Sequence, residues 1–365
     1  ESTDDEVVLG ARSSVQLGNE PYYSSYTDSL FVFFIDDEGN LTNEYSFNVS
    51  GQAEIHEIIK DEDDTFIFYN KNDKLFARKI DNDGLSTELF LGVNYYPLLS
   101  QTKYTVDYSD ELLFVFGRFG VANKLKVINK GDMSVSETYN LPWINKINYV
   151  LKNDPDQYLL CGQNEEGEDM LAKFDVSIMD SIWTKSYDIE ADMYKIIFDE
   201  EFNFVYSVGT VADDVVLRKI SPADGEESWA HTYDGLSNLV DIPADVSYDN
   251  FRDQITITGY QTDNFDGNIS KNVFIETVDD DANLIQTIVK QGEFEGDNIG
   301  LCIQTLFNGS VWSGGNLNQE ELGLAGYVFE ADTALICQEF QTVSVCDSLV
   351  SPSGEYTWYE SGVYT

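Results

Sequence analysis

The feature that most constrains the fold is a pattern that recurs seven times along the 365 residues. Each copy has a short apolar strand, a turn rich in Asp, Asn and Gly, and a second strand. The last apolar residues before the turns are Ile35, Ile80, Ile128, Phe174, Ile220, Val278 and Phe329. Successive members of this series are separated by 45, 48, 46, 46, 58 and 51 residues. So regular a spacing indicates repeated structural units within one architecture.

A strand that ends in glycine precedes this hairpin in most copies. These glycines are Gly117, Gly162, Gly209, Gly259 and Gly314. Glycine suits a strand position where two backbones approach closely. Another short strand with an acidic or polar turn lies upstream of each glycine, so each repeat indicates four antiparallel strands.

Four strands in about 45 to 50 residues match the size of one β-propeller blade. Parallel solenoids use shorter repeats, and a β-sandwich domain needs roughly 100 residues. The sequence therefore predicts an all-β fold: a seven-bladed β-propeller of four-stranded antiparallel blades over residues 1–343, followed by the beginning of a short β-repeat at residues 344–365. The first copy is atypical, and we expect the segment from Glu6 to Arg12 to help close the propeller.

The charge balance excludes several partners. The chain has 21 Lys plus Arg against 66 Asp plus Glu, a net charge of −45. Nucleic acid and anionic membrane surfaces require the opposite sign, and we expect neither nucleic-acid binding nor membrane insertion. Self-repulsion of this size suits a saline or calcium-containing exterior. The alternative is that the acidic surface serves solubility alone.

One blade carries a family resemblance. Residues 217–229 read Leu-Arg-Lys-Ile-Ser-Pro-Ala-Asp-Gly-Glu-Glu-Ser-Trp. This segment resembles the blade unit of quinoprotein-like (PQQ-like) propellers, in which a strand, a D-x-x-x-G-type turn and a Trp-bearing strand recur. Trp183 lies nine residues beyond Phe174, as Trp229 lies nine beyond Ile220. The resemblance implies a propeller fold, whereas other copies lack this Trp and give no basis for a quinone site.

A second resemblance covers residues 345–365, which read Val-Cys-Asp-Ser-Leu-Val-Ser-Pro-Ser-Gly-Glu-Tyr-Thr-Trp-Tyr-Glu-Ser-Gly-Val-Tyr-Thr. They are similar to a C-D-S…P-S-G-x-Y-x-W…S-G-x-Y-T repeat of very large surface proteins of Bacteroidota that type IX secretion exports. The resemblance implies an extracellular or cell-surface location and a longer polypeptide. It also implies that the propeller is the head of a stalk, adhesin or filament.

The cysteines and histidines offer little chemistry. None of the four cysteines has C-x-x-C spacing, which argues against a zinc or thioredoxin-type site. Cys337 and Cys346 are close enough in sequence for a disulfide that fastens the tail to the last strand, and buried thiols are the equal alternative. The two histidines, His56 and His231, belong to different repeats, so a His-based metal site or a catalytic triad is not expected.

Acidic turns are the candidate metal sites. Asp81 with Asp83, and Asp279 with Asp281, place carboxylates on flexible hairpin turns, and calcium prefers several such oxygen ligands. No turn has the EF-hand register. The alternative is ordinary turn chemistry, because Asp, Asn and Gly are the residues that tight hairpins use.

The candidate contact segment is the insertion that lengthens the sixth repeat. Long loops on rigid scaffolds often carry binding, so we predict that this one contacts the ligand. The predicted binding residues are Gln261, Asp263, Asn264, Phe265 and Asp266.

These observations predict a non-catalytic extracellular recognition or adhesion module that binds glycan or protein on a cell or surface. One alternative is a structural module that self-associates in an extracellular filament. The other is an enzyme acting on polysaccharide, because any two of so many carboxylates could converge.

Overall fold

The computed structural model describes residues 7–17, 25–35, 41–50, 53–61, 64–72, 74–93, 105–108, 111–120, 122–189, 191–199, 201–233, 240–250, 252–265, 268–290, 299–305, 310–319, 323–332, 349–350 and 357–358. Every regular element in these ranges is a β-strand, which confirms the all-β prediction. A search of the same ranges for a helix able to cross a membrane found none.

The chain divides into two compact units. One comprises residues 1–165 and 174–181, and the other comprises residues 166–173 and 182–365. The described residues form seven sheets of three to five strands, which we number in chain order, and one further two-stranded ladder.

The first three sheets belong to the first unit. Sheet one consists of β1 (Val7–Leu17), β2 (Ser25–Ile35) and β3 (Leu41–Ser50). Sheet two consists of β4 (Ala53–Asp61), β5 (Asp64–Lys71), β6 (Lys74–Asp81), β7 (Gly84–Leu85) and β8 (Leu89–Val93). Sheet three consists of β9 (Thr105–Tyr108), β10 (Leu112–Phe119), β11 (Ala122–Asn129) and β12 (Val135–Asn140).

Sheet four, in which the division between the units falls, consists of β13 (Lys146–Asp154), β14 (Gln157–Gln163), β15 (Glu168–Asp175) and β16 (Asp180–Ile189). Sheet five consists of β17 (Ala191–Phe198), β18 (Val205–Val211), β19 (Asp214–Ile220) and β20 (Glu227–Tyr233). Sheet six consists of β21 (Asp241–Asp249), β22 (Gln254–Phe265), β23 (Asn268–Asp279) and β24 (Leu284–Lys290). Sheet seven consists of β25 (Ile299–Thr305), β26 (Ser310–Gln319) and β27 (Gly323–Asp332).

The four-stranded repeat is confirmed. Sheets three to six each have four strands in sequence order, and the strand before the predicted turn is the third one. In sheet two, β7 and β8 pair with successive parts of β6, so together they occupy the place of one fourth strand. Sheets one and seven have three strands among the described residues.

The N-terminal segment forms β1, which pairs with β2 from Val7 opposite Ile35 to Leu17 opposite Ser25. It is therefore part of sheet one, and its role in closing the propeller stays a prediction. In the C-terminal segment, the structure describes only the pair β28 (Leu349–Val350) and β29 (Thr357–Trp358). The predicted boundary at residue 343 lies outside the described residues.

Apolar side chains fill the spaces between successive sheets within each unit. In sheet two, Phe66 and Phe68 pack against sheet three, whereas Ile67 and Tyr69 pack against sheet one. Both faces of β5 are therefore buried, which explains why its sequence is a continuous apolar run without alternation. Sheets five and six share a similar cluster that includes Leu217.

The glycines of the second strands face a bulge in the first strand, and each of these strands continues beyond its glycine. In sheets four, five and six the first strand skips one residue of its pairing, and the residue before the skip lies opposite the glycine. A β-carbon on Gly162, Gly209 or Gly259 would lie 1.8, 2.1 or 2.1 Å from a first-strand carbonyl oxygen. Close approach of two backbones is thus the physical reason for these glycines.

Replacing Gly209→Ala should lower the free energy of unfolding by about 2 to 4 kcal/mol, because the new methyl group would overlap the carbonyl oxygen of Asp192. The matched control is Gly131→Ala, since open space surrounds Gly131 and its φ is not in the left-handed region. The control should change stability by less than about 1 kcal/mol. Urea unfolding measures both variants, and equal losses would contradict the proposed clash.

Candidate functional site

The insertion in the sixth repeat forms a β-hairpin. Strands β22 and β23 each run for 12 residues and pair from Gln254 opposite Asp279 to Phe265 opposite Asn268. The description of this insertion as a long loop is corrected, because the residues on both sides of the turn continue the backbone ladder. The insertion lengthens two existing strands.

The hairpin determines where the predicted binding residues lie. Three of them are strand residues of β22, namely Asp263, Asn264 and Phe265. Asp266 lies outside the described residues. Gln261 is buried, with only 4% of its surface exposed, and its binding role stays a prediction. A binding role for the other four stays a prediction.

The predicted calcium residues take part in hairpin turns. Asp81 Oδ1 accepts a hydrogen bond of 2.9 Å from the backbone N–H of Asp83. Asp279 Oδ1 accepts the backbone N–H groups of Asp281 at 3.0 Å and of Asn283 at 2.7 Å. These bonds are the turn chemistry that the sequence offered as the alternative.

Hydrogen bonds from the Asn283 side chain and backbone lower the pKa of Asp279. Among the described residues, no group of three or more His, Cys, Asp or Glu is placed to hold a metal ion. Calcium binding stays a prediction.

Cys337 and Cys346 lie outside the described ranges, so their disulfide also stays a prediction.

A buried guanidinium connects sheets four and five within the second unit. Arg218 on β19 donates from Nε to Asp169 Oδ2 at 3.1 Å and from Nη1 to Glu227 Oε2 at 2.6 Å. Its Nη2 also donates to the Asp188 carboxylate. Asp169 in turn accepts the backbone N–H of Asp188 at 2.7 Å.

This network is a structural ion cluster rather than an open site. The side chains of Arg218 and Asp169 are 2% and 1% exposed. Burial raises the pKa of Asp169 although Arg218 opposes the change. Burial alone would lower the pKa of Arg218, but the neighbouring carboxylates outweigh it and raise the pKa. The guanidinium therefore remains charged, binds three carboxylates and is almost completely buried, so it does not offer an open site for a ligand.

A second cluster combines aromatic rings, one ammonium group and carboxylates. Tyr206, Lys219 and Trp229 lie opposite one another on β18, β19 and β20. Tyr248 of β21 stacks on Tyr206 with ring centroids 5.4 Å apart and 16° between the planes. We define the aromatic cluster as Phe204, Tyr206, Lys219, Trp229, Tyr248, Asp253 and Asp280.

Asp280 organises the polar part of the aromatic cluster. Lys219 Nζ donates to both of its carboxylate oxygens, at 2.7 and 2.6 Å, and the Tyr206 hydroxyl donates to Oδ1. The Trp229 indole N–H donates to its backbone carbonyl at 3.2 Å. Lys219 is 12% exposed and Asp280 is 41% exposed at the side chain, so the carboxylate is the accessible member of the pair.

Contacts within the cluster position the Lys219 ammonium group and keep the two tyrosine hydroxyls protonated. Lys219 Nζ lies 4.2 Å from the centroid of the Phe204 ring, a cation–π contact. The Tyr248 hydroxyl donates to Asp253 Oδ1 at 3.0 Å. Burial raises the pKa of Tyr206 and of Tyr248, and the accepting carboxylates raise each further. Both hydroxyls therefore stay protonated donors at neutral pH.

Sequence reasoning missed the aromatic cluster, although part of its signal was visible. Asp279 and Asp281 were the residues selected from the acidic turn, whereas the middle residue, Asp280, reaches the rings. Trp229 was noted only as a mark of the repeat. Tyr248 belongs to the next sheet, so no local spacing connects it to Trp229.

A buried carboxyl group lies beside the apolar part of the same interface. Glu276 lies on β23 opposite Ile257, and it shares a face with Phe274 and Val278, which pack in the cluster between sheets five and six. Its Oε2 atom is buried without a hydrogen-bond partner. Burial, and then the charge of Asp241, raise the pKa of Glu276 to about 7.

Replacing Arg218→Ala should lower the free energy of unfolding by about 3 to 5 kcal/mol, because Asp169 would become a buried charge without its counter-ion. The control Lys185→Ala removes an exposed ion pair with Glu226 and should cost less than about 1 kcal/mol. Denaturant unfolding near pH 7 measures both. A small loss in the Arg218 variant would show that Asp169 is not charged in the folded protein.

Replacing Glu276→Gln should stabilise the protein progressively as pH rises. The pKa of Glu276 is above its ordinary 4.5 in the folded chain, so its contribution to stability is complete below that value and is lost as pH rises through about 7. The variant should exceed the wild type by up to about 3 kcal/mol near pH 8 and by much less near pH 4.

Urea unfolding across this pH range tests the Glu276 prediction. Glu165→Gln, at an exposed position, measures the effect of removing one negative charge alone. A benefit that does not grow with pH would contradict the prediction.

No protein-family model matches the sequence, and no curated protein matches it. Solved structures do resemble it. Hydrazine synthase of Kuenenia stuttgartiensis has a TM-score of 0.53 at 12% identity over 79% of this chain and 88% of that chain. The Dos1 propeller has a TM-score of 0.52 at 11% identity over 80% and 72%.

The dihydro-heme d1 dehydrogenase NirN, solved in complex with DHE, has a TM-score of 0.55 at 13% identity over 90% of this chain and 65% of that chain. At such identities these likenesses show the fold and carry no activity. Together with the four-stranded antiparallel sheets, they show that the fold of this chain is that of a β-propeller.

Proposed function

We propose that this chain is a non-catalytic extracellular recognition module that binds glycan through the aromatic cluster. The observation that carries the proposal is the partly exposed ring of Tyr248, which stacks on the buried Tyr206 and lies in the same cluster as the Asp280 carboxylate, 41% exposed at its side chain. Sugar rings combine apolar C–H faces with hydroxyl groups, so they fit aromatic surfaces that are bordered by hydrogen-bonding groups.

The location is part of the same proposal. The C-terminal resemblance to type IX-secreted proteins of Bacteroidota supports a cell-surface position, and the net charge of −45 is compatible with a saline exterior. The propeller would then serve as the adhesive head of a larger surface protein. Calcium at the acidic turns belongs to the proposal as a cofactor that can be tested.

One observation favours self-association in a filament as a second candidate function. Leu284 and Ile285 are exposed at the beginning of β24, the outer strand of sheet six. Adjacent exposed apolar residues on an outer strand can support contacts between copies of a protein. The polysaccharide-enzyme alternative has no comparable observation among the described residues.

Replacing Tyr248→Ala should weaken glycan binding by about tenfold or more, because the variant removes one ring of the stacked pair. The matched control is Phe202→Ala, which removes a more exposed aromatic side chain that contacts the Phe198 ring at a tilted angle and is not a member of the cluster. The control should retain binding.

The measurement uses the full chain on an array of plant, algal and microbial polysaccharides, with and without a calcium chelator, followed by calorimetry on the bound sugars. Thermal unfolding of each variant checks that both remain folded. Equal losses in the two variants would place recognition elsewhere, and no binding by any form would favour the filament role. Reducing-end release during the assay would instead favour the enzyme.

A further inference from the structure

The hydrogen-bond donors of the aromatic rings and of Lys219 bind acceptors within the aromatic cluster. The Tyr206 hydroxyl, the Lys219 ammonium group and the Trp229 indole N–H all donate to Asp280. The Tyr248 hydroxyl donates to Asp253. Each tyrosine and the tryptophan have only one polar hydrogen, so none of them has a second donor for a ligand.

The Lys219 ammonium group is not available to a ligand either. Its ammonium group binds both oxygens of Asp280 and lies against the Phe204 ring, and its side chain is 12% exposed. An anionic group on a ligand would have to displace Asp280 to reach this charge. The cluster therefore has no available cation for a carboxylate or a sulfate.

Acceptor capacity, in contrast, remains. A carboxylate offers about four lone-pair positions, and the Asp280 side chain accepts two bonds from Lys219 and one from Tyr206. Asp253 accepts the Tyr248 hydroxyl and lies in an exposed turn. Asp199 accepts the backbone N–H of Phe204 at 3.2 Å, and its charge also acts on both tyrosines. The polar border of the rings is thus a set of acceptors with a net negative charge.

We propose that the aromatic cluster selects donor-rich saccharides, amino sugars above all, and rejects uronate and sulfated glycans. This inference rests on the proposed glycan-binding function and adds the chemical class of the ligand. A protonated amino group and ring hydroxyls would donate to Asp280 and Asp253 while the sugar face packs on Tyr248. A uronate would meet the same carboxylates with like charge and without a donor to receive it.

The test compares three soluble hexamers of equal length by calorimetry on the full chain near pH 6. These are a glucosamine hexamer, an N-acetylglucosamine hexamer and a mannuronate hexamer. At about 20 mM salt we expect the glucosamine hexamer to bind about tenfold or more tightly than the mannuronate hexamer, with the neutral hexamer between them. At about 500 mM salt the charge-dependent differences should shrink, because the Debye length falls to about 4 Å.

The variant Asp280→Asn gives the sharper result. It releases the Lys219 ammonium group from its counter-ion, so mannuronate binding should strengthen by about tenfold while glucosamine binding weakens. The matched control is Asp132→Asn, which removes one charge from the exposed turn between β11 and β12 of sheet three, in the first unit, and should leave the order of the three hexamers unchanged. If Asp280→Asn does not fold, Asp253→Asn should reduce the preference for the amino sugar without releasing Lys219.

Mannuronate binding as tight as glucosamine binding at low salt would overturn the proposed selectivity and leave glycan recognition standing. An unchanged order in both Asp280→Asn and Asp253→Asn would also overturn it, because the preference would then arise outside the cluster. No binding of any hexamer, with none on the polysaccharide array, would overturn both the selectivity and the proposed function.

Discussion

Burial of both faces of a sheet is the constraint on which the rest of the structure depends. Each inner sheet of a unit must present apolar side chains in two directions, and the alternation of Phe66 and Phe68 with Ile67 and Tyr69 shows how one strand does so. A sheet that is covered on both faces has no solvated side, so polar side chains without partners are largely restricted to strand ends, turns and outer strands. The aromatic cluster and the acidic turns lie where that restriction ends.

Charged side chains that are buried between the sheets are mostly paired with groups of opposite charge or hydrogen-bonded. Arg218 meets Asp169, Asp188 and Glu227 at once, and Lys195 pairs with Asp245, which also accepts the backbone N–H of Ile303. Burial makes an uncompensated charge costly, so these clusters define which sheets fit together. Glu276 departs from this pattern, and its raised pKa is the physical result.

Much of the fold could be predicted from the sequence because each repeat is marked by short, local patterns of apolar residues, turn residues and glycine. The turn after Ile220, the glycine at Gly209 and the apolar runs are all visible within one copy, and they placed the third strand of sheets three to six correctly. The insertion near Gln261 was harder to predict, because a hairpin ladder and a polar loop use similar residues. The pairing of Asp263 with Ser270 and of Asn264 with Ile269 shows that the segment is a hairpin. The sequence does not show such pairing directly.

The candidate site was less predictable for a different reason. Tyr206, Tyr248 and Asp280 are separated by 42 and 32 residues along the chain, and only the packing of sheet five on sheet six brings them together. Composition could show that aromatic and acidic residues are abundant, but not which of them meet. The acidic turn was selected through Asp279 and Asp281, whereas Asp280 is the turn residue that contacts Tyr206 and Lys219. The calcium role of Asp279 and Asp281 stays a prediction.

The hairpin of β22 and β23 also determines how this part of the chain can change in evolution. Each strand is five residues longer than its counterparts β18 and β19, which adds about 17 Å of ladder. Deleting one residue from one strand would shift the register and turn every side chain beyond that point to the opposite face. Removing one facing pair would keep the register but still invert the faces beyond it, whereas removing two facing pairs would preserve both. Related chains should therefore differ in the length of this hairpin by matched additions to both strands.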